Sequence, residues 1–140
     1  TASSYVRPGR LAEFVAELPD AGVYAGTLVE DAISGVEFAS GASRIMSRDV
    51  AAEVLREKRR YGNDVMEDVG LGRLVGELGY SLIPWPSVNV ASTERLDALT
   101  DTEIVENFHF RMTSGNRKAR QDVPLMHTLH RRVLSLEGSG

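Results

Sequence analysis

The feature that most constrains this chain is an abrupt change of hydrophobic period around Gly79. Leu71, Leu74, Val75 and Leu78 recur at helical spacing, Gly79 supplies a C-terminal stop, and Tyr80-Ser81-Leu82-Ile83 follows at once as a strand. Pro84-Trp85-Pro86 cuts the strand off, because proline has no N–H to give to a ladder. A chain that turns from period 3.6 to a strand within two residues belongs to the mixed α/β class, with a sheet flanked by helices.

The same alternation runs through the rest of the sequence. Leu11, Phe14, Val15 and Leu18 predict a helix over 8–18, stopped by Pro19-Asp20. Residues 23–28 read as a strand and 36–38 as a short second one. The small residues of 39–43 suit a loop that lets a backbone come close to a ligand or another strand, and Ile45-Met46 suits a brief strand. Ser47 is placed to cap a helix carrying Val50, Val54 and Leu55 on one face. Val88 to Val90 fits a sheet edge, and 91–105 a surface connection with at most a short helix. Asn107 to Arg111 reads as a half-buried strand, Thr113 to Lys118 as a turn. Asp122 can cap a last helix lined by Met126, Leu129, Val133 and Leu136. With 140 residues, one domain over 1–140 is the expectation.

Composition excludes several classes of function. A net charge of −4 is the wrong sign for a nucleic-acid binder, and Lys58-Arg59-Arg60 and Arg117-Lys118 are too short to reverse it. The chain contains no cysteine, so disulfides and thiolate metal sites are out, and any metal must take oxygen or imidazole ligands. No apolar run reaches the ~20 residues of a membrane-spanning helix, and no signal segment opens the chain, which fits a soluble, cytoplasmic protein.

The strongest chemical candidate is Glu67-Asp68, at the start of the helix before Gly79. Acids there are also ordinary helix grammar, since exposed amides and the macrodipole favour negative charge. The same placement suits a general base, and Gly70 and Gly72 leave space above the first turn for a substrate. His109, between Phe108 and Phe110, points away from both rings and is either a structural histidine or a metal ligand. His127 and His130 lie beside Arg131 and Arg132, which disfavour a cation, so they read as solvated surface. Trp85 suits either stacking on a sugar or covering the core edge. Ser40, Gly41 and Ala42 are candidates for substrate contact, but they lack the spacing of a phosphate loop.

Taken in order, Val23-Tyr24-Ala25-Gly26, then Phe38-Ala39-Ser40-Gly41-Ala42 leading into Met46-Ser47-Arg48-Asp49, then Glu67-Asp68-Val69-Gly70-Leu71-Gly72 with Leu78-Gly79, resemble the beta-1,3-galactosyltransferase and fringe-like glycosyltransferases. The resemblance covers roughly residues 5 to 90. It implies part of a GT-A-type mixed sheet and an inverting transfer of a sugar from a nucleotide donor, such as a uridine diphosphate sugar, to a hydroxyl of a carbohydrate or lipid-linked acceptor. Asp68 falls on the family's catalytic base, with Glu67 beside it. A divalent cation, manganese or magnesium, is implied, with His109 as the candidate ligand by position. The family's Asp-x-Asp would lie just before Tyr5-Val6, where this chain reads Thr1-Ala2-Ser3, and its nucleotide-binding half would precede residue 1. The expectation is therefore an acceptor-side half, inactive in isolation and prone to self-association through an uncovered sheet edge. The alternative is a non-catalytic carbohydrate- or partner-binding module, and a hydrolase using both acids ranks last because neighbouring helical side chains diverge by about 100°.

Overall fold

The computed structural model describes residues 3–61, 66–112 and 122–138. These fall into two compact units, one built from the N-terminal 16 residues with Pro86–Gly140, the other from Glu17–Trp85. Six α-helices and two three-stranded mixed sheets make up the described residues, as the α/β reading requires.

The first unit holds β1 (Ser4–Val6), α1 (Pro8–Ala16), β5 (Ser87–Val90), α4 (Thr93–Asp97), α5 (Asp101–Glu106), β6 (His109–Met112) and α6 (Asp122–Glu137). Its sheet runs β1-β6-β5, with β6 antiparallel to β1 and parallel to β5. Val90, Leu96, Ile104, Phe110, Met112 and Leu129 are the deepest members of its core. Residues 91–105 are not one surface connection: two short helices form there and place Leu96, Leu99 and Ile104 inside. Both have N-caps. Ser92 accepts from the Arg95 amide, and Thr100 forms a full capping box with Glu103. Arg7, itself buried, donates to the carbonyls of Ile104 and Val105 near the end of α5 and to Glu137 on α6.

The second unit holds β2 (Tyr24–Glu30), β3 (Glu37–Met46), α2 (Arg48–Arg56), a 3-10 turn (Lys58–Arg60), α3 (Glu67–Glu77) and β4 (Leu82–Pro84). Its sheet runs β3-β2-β4, antiparallel on one side of β2 and parallel on the other. Val88 to Val90 therefore does not extend the sheet of Leu82 and Ile83; it pairs with β6.

Residues 39–43 are strand, not loop. β3 runs unbroken through them, but between the pairs Gly26–Arg44 and Leu28–Ala39 the register shifts, so that Ser40–Ser43 bulge opposite Thr27. Gly26 permits this: a Cβ there would lie 2.6 Å from the Cβ of Ala39. Ser47 stands at the N-cap of α2 without a capping bond of its own; its hydroxyl accepts from the Val23 amide at 2.9 Å and ties the helix to β2. Val50 is buried as expected, whereas Leu55 is 67% exposed and leaves the predicted apolar face. α3 follows its pattern closely, with Leu71, Leu74 and Val75 inside and Gly79 at φ +87°.

The expected turn over Thr113 to Lys118 lies outside the described residues. No helix among the described residues is long and apolar enough to cross a membrane.

Candidate functional site

The first turn of α3 points its acids at the bulge of β3. Asp68 Oδ2 accepts from the Gly41 amide at 2.8 Å, and Oδ1 accepts from Arg44 Nη1 at 2.7 Å. Arg44 Nη2 reaches Glu67 Oε1 at 3.3 Å. Tyr61 completes the cluster by donating its hydroxyl to the backbone carbonyl of Glu67. Burial, then the nearby Glu67 charge, raises the Tyr61 pKa, which keeps the phenol a donor.

The sequence makes this arrangement possible through two glycines. A Cβ at Gly41 would fall 2.6 Å from Asp68 Oδ2, so only a bare Cα leaves the carboxylate its seat. At Gly72, one turn on, a Cβ would meet the Phe38 Cβ at 2.5 Å and the Glu37 carbonyl at 2.8 Å. Gly72 thus lets α3 lie directly on β3. Among the small residues of β3, Gly41 admits a helix, where the composition suggested room for a ligand or another strand.

The two acids differ. The Asp68 side chain is 30% exposed and held from two sides, while that of Glu67 is 78% exposed and held only by the longer Arg44 contact. Each Asp68 oxygen keeps a second lone pair, so the group can still accept a proton from a hydroxyl approaching from solvent. Of the other residues predicted for substrate contact, Gly41 lies open beside Asp68, and Ser40 is buried in the same bulge. A cleft of about 530 Å³ farther along α3, lined by Tyr24, Glu37, Gly72, Gly76 and Tyr80, does not include the acids.

Trp85 belongs to the same unit but is only 7% exposed, and its indole N–H donates to Thr27 Oγ1 at 3.0 Å. A sugar could stack on it only by displacing that packing. His109 lies in the other unit, 1% exposed on the central strand of its sheet. Its Nδ1 is 2.8 Å from Ser87 Oγ and its Nε2 3.1 Å from Ser4 Oγ. Burial, reinforced by the Arg111 charge, lowers its pKa, so the ring is neutral at physiological pH. A cation at either nitrogen would have to displace a serine hydroxyl. Among the described residues, no three His, Asp or Glu side chains converge on a point where a metal could sit. The donor set among the described residues does not fit the divalent cation that the resemblance implies. His130 is exposed, as a surface histidine should be, and places Nδ1 2.9 Å from the Tyr5 hydroxyl.

Sequence reasoning missed Arg44 and Tyr61. Arg44 is 24 residues from Asp68, and nothing in its local pattern marks it; it sits on β3 just past the bulge, paired with Gly26. No protein family, curated protein or solved structure matches this chain.

Proposed function

We propose that this chain carries the acceptor side of an inverting glycosyltransferase, with Asp68 as the general base. The supporting observation is the convergence of two of the three segments that carry the resemblance: the Asp68 carboxylate rests on the Gly41 amide. In the proposed step Asp68 removes the proton from an acceptor hydroxyl while that oxygen forms a bond to the anomeric carbon of the donor. The bond from that carbon to the diphosphate breaks, and the departing nucleotide takes the electron pair. One displacement inverts the anomeric configuration and needs no covalent intermediate. Arg44 and the Gly41 amide fix the carboxylate for this transfer, and Glu67, more exposed, borders the acceptor.

One observation favours the alternative of a non-catalytic module. Both Asp68 oxygens already have partners within the chain, so the carboxylate also works as a latch between β3 and α3. The test that separates the two is incubation of the natural protein with uridine diphosphate hexoses and hydroxyl acceptors, with the product anomer read by NMR. A glycoside of inverted configuration is expected. Retained configuration contradicts the single displacement, and acceptor binding without product for any donor favours the module.

A further inference from the structure

We propose that α2 and the 3-10 turn after it form a docking face for an anionic lipid bilayer, a role independent of any transfer chemistry. Arg48, Ala52, Leu55 and Arg56 recur at i, i+4, i+7 and i+8, which puts them on one side of α2, and all four are exposed. Lys58 and Arg59, in the 3-10 turn that follows, are also exposed. The opposite side is fixed to the unit through buried Val50 and half-buried Val54.

The structure separates charges that the sequence interleaves. Each acid of this stretch is engaged inside the unit: Asp49 accepts from the Gly22 amide, Glu53 from the Tyr80 hydroxyl, and Glu57 pairs with Arg60. Arg60 is also taken by Glu77 at 2.7 Å. Arg48, Arg56, Lys58 and Arg59 make no salt bridge with the described residues. On a chain of net charge −4, residues 48–60 therefore carry five cations against three acids, and four of those cations are exposed without an ion pair among the described residues.

Leu55 decides the kind of partner. It stands 67% exposed among these cations, where a purely electrostatic surface has no use for it. A basic helix face with an apolar residue at its centre suits the interface of a bilayer: the leucine enters the acyl boundary while the long Lys and Arg side chains reach lipid phosphates. Single-stranded nucleic acid calls for aromatic platforms, and this face has none; the nearby Tyr61 hydroxyl is committed to the Glu67 carbonyl.

The test is co-sedimentation of the protein with vesicles of phosphatidylcholine alone or with one-third phosphatidylserine. Binding to the anionic vesicles only, weakened by added salt, is expected. The double variant Arg56→Glu, Arg59→Glu should bind at least ~10-fold more weakly. Leu55→Ser should weaken binding about 3-fold or more without changing the salt dependence. All these positions are exposed, so the variants should keep the wild-type circular dichroism and melting temperature; if the double variant does not, Lys58→Glu alone replaces it. Equal binding to neutral vesicles, no binding to anionic ones, unchanged binding by the charge reversals, or tighter binding to a single-stranded oligonucleotide than to the vesicles would overturn the proposal.

Discussion

The backbone N–H of Gly41 donates to Oδ2 of Asp68 at 2.8 Å, and a Cβ on residue 41 would lie 2.6 Å from that same oxygen. The glycine and the carboxylate therefore occupy one space. Gly41→Ala should push the carboxylate aside, since the end of a side chain yields more readily than backbone. The cost in stability should be that of one hydrogen bond, about 1 kcal/mol. Sugar transfer, which depends on where the base sits, should fall by about 100-fold. Urea unfolding and a transfer assay on the same preparation measure the two.

Gly72 and Gly76 lie one turn apart on α3 and should respond in opposite directions. At Gly72 a Cβ meets the Phe38 Cβ and the Glu37 carbonyl, both within 2.8 Å, so Gly72→Ala should destabilise by about 1–3 kcal/mol. At Gly76 nothing lies within 4 Å, so Gly76→Ala should stabilise by about 0.5–1 kcal/mol through helix propensity. Denaturant midpoints of the two variants give the comparison.

Arg44 and Asp68 are both partly buried, and their 2.7 Å contact should show as a coupling of about 0.5–1 kcal/mol in a double-mutant cycle of Arg44→Met with Asp68→Asn. The Arg44–Glu67 contact is longer and Glu67 is mostly solvated, so a cycle with Glu67→Gln should give close to zero.

These contacts mark where the sequence stopped being informative. α3 was legible because its stripe and its stop at Gly79 are local, and the same holds for α1 and α6. β3 was not, because a bulge lets Ser40–Ser43 remain strand while leaving the ladder, and composition alone reads small residues as loop. The two helices over 93–106 were hidden because each is too short to show a period; their caps at Ser92 and Thr100 were the available signal. β1 exists through its pairing with β6, about a hundred residues away, which no window on the sequence can see. Glu67 and Asp68 were found from the helix start, but the guanidinium and the amide that distinguish them come from β3, more than twenty residues earlier.

His109 should make stability depend on pH in one direction. Its folded-state pKa lies below the ordinary 6.5, because burial and Arg111 oppose its charge, so below about pH 6.5 the unfolded chain binds the proton first. Its contribution is complete above 6.5 and declines as pH falls from there through the folded pKa. The unfolding free energy of wild type minus that of His109→Gln should therefore decrease between about pH 7.5 and 5.5, with a slope of at most ~1.4 kcal/mol per pH unit. A difference that stays constant over that range would mean that folding leaves the affinity of the ring for its proton unchanged, and one that grows as pH falls would mean that the fold favours the protonated ring.

The most direct measurement is the rate of sugar transfer by Asp68→Asn and by Glu67→Gln, each compared with wild type at matched thermal stability. A base at Asp68 predicts a loss of about 10²- to 10⁴-fold for Asp68→Asn and no more than a few-fold loss for Glu67→Gln. Transfer by Asp68→Asn within a few-fold of wild type would contradict a base at Asp68 and leave its carboxylate only the latch between β3 and α3.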